Sequence, residues 1–182
     1  SLDRITNIKT INSKIKSLLY QNGILWIGTN GKGLKKYHIE NDTFETFTTT
    51  DGLPNNVIYG ILPDNNGNLW LSTNNGISKF TNQTKNKFEN YSNYDGLQAL
   101  EFNTGAYYKD KNGNLYFGGL EGLNWFNPNQ LTFYTIKPKT IITKFEVYSV
   151  DQPLQQNAAF KFNKNTITFT FSSLHFSQPE RN

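Results

Sequence analysis

The 182-residue sequence contains no Cys and no Met. Without Cys there is no disulfide framework, no thiolate zinc site and no Cys nucleophile. The lack of Met is what an internal piece of a longer polypeptide would show, so what this segment does and what its parent does are separate questions. Charge is also sparse: 18% of residues are charged, with 18 Lys and Arg against 14 Asp and Glu. The net +4 comes from Lys scattered singly. That pattern makes a solvated surface and not a basic stripe, so no nucleic-acid contact by this segment is expected. No apolar run approaches the roughly 18 residues of a membrane span, and no signal peptide is visible. Any membrane contact is therefore expected only through segments outside this chain.

What is present is a repeat. The sequence carries 14 Gly, 14 Phe, 10 Tyr and 3 Trp, and many of them recur in phase. Asn22-Gly23-Ile24-Leu25-Trp26 returns as Asn66-Gly67-Asn68-Leu69-Trp70 and as Asn112-Gly113-Asn114-Leu115-Tyr116, at steps of 44 and 46 residues. A second marker keeps register: Gly31-Lys32-Gly33-Leu34, Asn75-Gly76-Ile77, Glu121-Gly122-Leu123. A third, Asp51-Gly52-Leu53, returns 44 residues on as Asp95-Gly96-Leu97. Each unit reads as four short strands. In the second these are Val57 to Leu62, Leu69 to Thr73, Ile77 to Thr81 and Lys87 to Ser92, with turns at 64–68 and 74–76. No segment has a capped 3.6-residue period, so helix content should be very low. Short strands joined by Asn-Gly turns suit antiparallel hairpins, and a period in the forties with four strands per unit is the signature of propeller blades.

The repeated Trp is read as packing between neighbouring sheets, with Tyr116 a tolerated exchange at the same position. Trp125 breaks the pattern. After Asn127-Pro128-Asn129 the repeat is lost, and two longer alternating strands follow, Ile141 to Val150 and Thr166 to Phe176, with Ile167, Phe169 and Phe171 on one face. Asp151-Gln152-Pro153 is the expected turn between them. These strands read as the opening of a β-sandwich. The expected class is thus all-β: about three four-stranded antiparallel blades of a partial β-propeller over residues 1–136, then the first strands of an immunoglobulin-like sandwich over 137–182. The third blade, with inner strands from Ala106 to Asn127, is expected to be incomplete or completed by Leu131 to Ile136.

The inventory for catalysis is thin. His38 and His175 lie in strand patterns. The stretch Gly28 to Gly33 misses the dinucleotide fingerprint and reads as a hairpin turn. Asp64 to Asn68 and Asp110 to Asn114 cluster oxygen donors but place Gly at the fourth position, where a calcium loop needs it at the sixth, so Asx turns are expected. No cofactor, metal site or catalytic residue is assigned.

The unit Asn66-Gly67-Asn68-Leu69-Trp70-Leu71-Ser72-Thr73-Asn74-Asn75-Gly76-Ile77 resembles the two-component regulator propeller repeat, and Leu25-Trp26-Ile27-Gly28-Thr29-Asn30 is closer still to its Gly-Asn-Leu-Trp-Ile-Gly-Thr core. Asp51-Gly52-Leu53-Pro54-Asn55-Asn56 is similar to the family's inter-blade loop. Glu101 to Ala106, followed by Gly113 to Gly119, resembles its final blade. The segment from Ile141 to Phe176 resembles the start of the Y_Y_Y domain, an immunoglobulin-like sandwich. This order resembles the extracytoplasmic sensor of Bacteroidetes hybrid two-component systems. There, two propellers of about seven blades each precede the sandwich, a membrane helix, a histidine kinase and, usually, a receiver with a DNA-binding output. The resemblance implies a periplasmic region of an inner-membrane protein that senses glycan fragments and controls polysaccharide-utilisation genes. It also implies relay of the signal through paired membrane helices. Three blades where the family has a ring leave open edges, which self-association into a dimer would protect. The alternative is a secreted or periplasmic propeller that binds a protein partner or acts as a carbohydrate-active enzyme.

In a propeller, the loops from the outer strand of one blade to the inner strand of the next share a face with the loops between second and third strands. The first set supplies Asn55, Asn56, Glu101, Asn103 and Thr104, and the second Asn30, Lys32, Asn74, Asn75 and Glu121. Amides and carboxylates offer planar arrays of donors and acceptors to sugar hydroxyls, so this face is the expected oligosaccharide site.

Overall fold

The computed structural model describes residues 11–81, 87–131, 139–153, 159–163 and 165–174. The chain divides into two compact units, Ser1–Leu131 and Thr132–Asn182. The expected boundary between residues 136 and 137 falls outside the described residues.

The first unit is a succession of antiparallel sheets. Strands β1 (Ile15–Gln21), β2 (Ile24–Thr29), β3 (Leu34–His38) and β4 (Thr43–Phe47) form one in sequential order. Strands β5 (Ile58–Pro63), β6 (Leu69–Thr73), β7 (Ile77–Thr81) and β8 (Lys87–Tyr91) form the second. Strands β9 (Phe102–Lys109), β10 (Leu115–Gly119) and β11 (Gly122–Phe126) form the third, with three strands among the described residues. Its inner strand begins at Phe102, four residues before the expected Ala106, because the chain continues to pair with β10 past an irregularity at Gly118. Residues 132–136, the expected completing strand, lie outside the described residues. No α-helix occurs among the described residues, only three single-turn 3₁₀ segments.

The core lies between blades and not within them, since each sheet is one layer thick and can bury its faces only against a neighbour. Trp26 meets Phe80 of the next blade edge-on, with ring centroids 5.5 Å apart. One repeat later, Trp70 meets Phe126 at 4.8 Å. Phe47, Leu53, Ile58, Ile61 and Leu71 fill the first layer, and Leu62, Ile77, Phe102, Leu115 and Phe117 the second. Trp26 and Trp70 are 3% and 2% exposed, as packing requires, whereas Trp125 is 63% exposed and stacks on Tyr116 of its own blade.

The third marker is a blade-to-blade connector. The Thr48 amide donates to Asp51 Oδ2 at 2.8 Å and the Asp51 amide to the Thr48 carbonyl, and Gly52 then closes the turn at a φ of 107°. Leu53 drops into the first layer, 4% exposed. Ser92, Asp95, Gly96 and Leu97 repeat the device.

In the second unit, β12 (Lys139–Val147) pairs with β13 (Val150–Asp151) on one side and β14 (Ile167–Leu174) on the other, all antiparallel. Phe145, 6% exposed, stacks on Phe169 at 5.0 Å. The turn expected at Asp151-Gln152-Pro153 lies instead at Tyr148-Ser149. Their φ values of 52° and 60° make a two-residue hairpin that returns Val150 and Asp151 to pair with β12. Tyr and Ser seldom adopt this conformation, so the turn carries no sequence signal.

Candidate ligand-binding face

The two loop sets meet on one face, held by backbone bonds. The amides of Gly31 and Gly33 in the β2–β3 loop donate to the Asn56 carbonyl in the β4–β5 connector, at 3.1 and 2.9 Å. The Gly76 amide donates to the Leu100 carbonyl at 2.7 Å, and Leu120 to that of Glu101 at 3.1 Å. Buried Thr29 and Thr73 pin the first two of these loops: each hydroxyl donates to the loop's last glycine carbonyl and accepts an amide from within the loop. Between blades two and three this face opens into a cavity of about 410 Å³ lined by Asn74, Asn93, Gln98, Ala99, Leu100, Glu101, Leu120 and Glu121.

The ten sequence-predicted residues divide by what their side chains do. Asn55 Oδ1 accepts the Val57 amide, Asn56 Oδ1 accepts that of Thr49, and Asn75 Nδ2 donates to the Pro54 carbonyl. These three hold the loops themselves. Asn74 Oδ1 accepts from the Tyr59 hydroxyl at 2.6 Å, and Thr104 Oγ1 accepts from Lys16 Nζ at 3.2 Å. Asn30, Lys32, Glu101, Asn103 and Glu121 are exposed. Asn74, Glu101 and Glu121 share the cavity; Asn30, Lys32, Asn55 and Asn56 belong to the neighbouring loop pair.

Two residues of this face were missed from sequence, Lys16 and Tyr59. Each sits at a register irregularity of an inner strand: β1 slips against β2 between Ile15 and Ser17, and β5 slips against β6 between Ile58 and Gly60. In β9 residues 103–106 face Gly118 alone. A bulge re-aims its side chain. Here Lys16 Nζ lies 5.5 Å from the centre of the Tyr59 ring as well as on Thr104. The only trace in the sequence is the 43-residue step from Lys16 to Tyr59, close to the repeat period.

On the opposite edge the Asp-Asn clusters are Asx turns. Asp64 Oδ1 accepts the amides of Asn66 and Asn68, and Oδ2 accepts Asn68 Nδ2 at 2.9 Å and the Trp70 indole at 3.1 Å. Burial alone pushes the Asp64 carboxyl up, but these four donors outweigh it and hold the group below the usual carboxylate range. Asp110 repeats the arrangement, with Tyr116 OH in place of the indole. No group of three or more His, Asp or Glu is placed to hold a metal ion among the described residues. His38 lies on β3, with Nε2 2.7 Å from Glu45 Oε1 and half-buried, and His175 lies outside the described residues.

Antiparallel sheets stacked through aromatic layers at a repeat in the forties are β-propeller blades. The sequence of these blades is specific: residues 52–75 match the two-component regulator propeller repeat. Among solved structures, the chain is similar to the extracellular domain assigned to a hybrid two component system, BT3049, of B. thetaiotaomicron. The two share 29% identity at a TM-score of 0.69, over 91% of this chain and 24% of that one. Two structures of the extracellular domain of BT4673 from the same organism share its fold. They are 20% and 21% identical, with TM-scores of 0.59 and 0.53, over 79% and 86% of this chain and 20% and 21% of theirs. The chain thus spans about a quarter of the length of these domains or less. No curated protein sequence matches it.

Proposed function

We propose that this chain is part of the periplasmic ligand-sensing region of a hybrid two-component sensor histidine kinase, and that its loop face binds a glycan-derived oligosaccharide. The observation that carries this reading is the cavity between blades two and three. Exposed Glu101 and Glu121 stand in it beside Asn74, on a backbone frame already satisfied by its own bonds. Carboxylates and amides held by a rigid scaffold match the hydroxyls of a sugar without needing to rearrange. The face binds without catalysing. Relay follows through an immunoglobulin-like sandwich that begins with β12 to β14, as ligand binding changes the packing of two sensor copies and biases the kinase that controls polysaccharide-utilisation genes. The likeness to extracellular domains of two-component sensors supports this placement.

Calorimetry of the full-length protein against a panel of oligosaccharides tests the reading. Glu101, Asn103 and Glu121 changed together to Ala should weaken binding by at least about tenfold, since three lost hydrogen bonds of ~0.5–1.5 kcal/mol each exceed the 1.4 kcal/mol of one decade. The melting temperature should not move, because none of the three side chains holds the fold. Undiminished affinity in this variant would remove the face from consideration.

A further inference from the structure

We infer that the central end of this face is a subsite for an acidic sugar, one bearing a carboxylate or sulfate ester, with Lys16 as its counter-ion. The inference rests on the oligosaccharide reading above and specifies the ligand class.

Three successive inner strands each depart from regular pairing at the corresponding place, and the side chains they release converge. Lys16 comes from the first bulge, Tyr59 from the second and Thr104 from the third, linked by the 3.2 Å Lys16–Thr104 bond and the 5.5 Å approach of Nζ to the Tyr59 ring. A single bulge is common, but three aimed at one point amount to a shared device. Among the described residues no carboxylate lies within ion-pair distance of Lys16, as is also true of Lys32 and Lys35; what sets Lys16 apart is its place where the three irregular strands meet. The Lys16 ammonium instead rests on a neutral hydroxyl and an aromatic face. That leaves donor capacity on Nζ unused, because an ammonium offers three hydrogens.

Tyr59 connects this cation to the cavity. Its hydroxyl donates to Asn74 Oδ1, so the Asn74 amide is turned with Nδ2 available as a donor. The site is therefore asymmetric, with a cation on the blade-one side and the Glu101 and Glu121 carboxylates on the blade-three side. A sugar acid fits in one orientation, its anion toward Lys16 and its hydroxyls donating to the glutamates. The reverse orientation sets like charges together.

The test is calorimetry of the full-length protein with uronic-acid oligosaccharides, sulfated galactan oligosaccharides and their carboxyl-reduced or desulfated counterparts. The expected result is at least tenfold tighter binding of one acidic probe than of its neutral counterpart, a preference lost in Lys16→Met, restored in Lys16→Arg and weakened by added salt. The Lys16→Met melting temperature should stay near that of the parent, and Thr104→Val serves as a second variant that loosens Lys16 without removing its charge. Equal binding of acidic and neutral probes, or a preference that survives Lys16→Met, overturns this inference and leaves the oligosaccharide reading standing. Failure to bind any oligosaccharide overturns both.

Discussion

Asp64 shows how one side chain can serve as the keystone of a blade. Its two oxygens take four donors, closing the β5–β6 turn and fixing the indole of the Trp that fills the next inter-blade layer. Asp64→Asn replaces one acceptor with a donor facing Asn68 Nδ2 and the Trp70 indole, and should cost about 1–3 kcal/mol in urea unfolding. The carboxyl is held below its usual range in the folded chain, so the stabilisation is complete above the unfolded value near ~3.9 and is lost as pH falls through the lower folded value. The parent should therefore lose stability on acidification through that window. Asp64→Asn should lack this component, and a pair of stability-against-pH curves checks it. The sequence discloses that a turn lies here, since Asp, Asn and Gly cluster. The bond to an indole six residues away depends on the strand geometry that places the ring.

Elements are specified as much by where backbone must approach backbone as by strand propensity. Gly76 adopts a φ of 88°, and a Cβ there would lie 2.1 Å from the Tyr91 carbonyl oxygen of the outer connection. Gly60 has an ordinary φ, but its Cβ would lie 2.5 Å from the Tyr107 ring of the next inner strand. Each blade meets this crowding with a glycine paired to a small residue: Ser17 with Gly28, Gly60 with Ser72, and Gly118 in contact with Ala106. Gly60→Ala should cost about 1–3 kcal/mol by overpacking and Gly76→Ala more, because strain in the left-handed region adds to a clash with rigid backbone. Thermal melts of the two variants provide the comparison, and a Gly76→Ala chain as stable as Gly60→Ala would contradict it. Strands β5 to β8 were legible to within a residue from their apolar runs and Asn-Gly turns. The Tyr148-Ser149 turn was not, because its left-handed residues are ones that rarely take that conformation.

At the scale of the first unit, the blades share two apolar layers and a loop face stitched by backbone bonds, so a ligand that bridges adjacent loops also bridges adjacent blades. Saturating oligosaccharide at 100 times its dissociation constant should stabilise the folded protein by about 2.7 kcal/mol, read as a concentration-dependent rise in melting temperature. At the same ligand concentration that rise should fall to about half or less in the Glu101, Asn103, Glu121 triple variant, since a site at least tenfold weaker retains at most about 1.4 kcal/mol. Of the candidate site, the loop face was legible from the order of strands in a blade. The division of labour within it was not: Asn55, Asn56 and Asn75 look the same in sequence as Asn30 and Asn103, yet the first three are spent on holding turns.

The sequence by itself determined the all-β class, the repeat and the roles of Trp26 and Trp70, because periodicity and turn chemistry are local properties that survive without knowledge of neighbours. The three-dimensional structure alone decided which polar side chains remain available and that Lys16, Tyr59 and Thr104 come together. Their meeting depends on bulges in three strands that are 43 or more residues apart, and a bulge is a mismatch between paired strands that neither strand records alone.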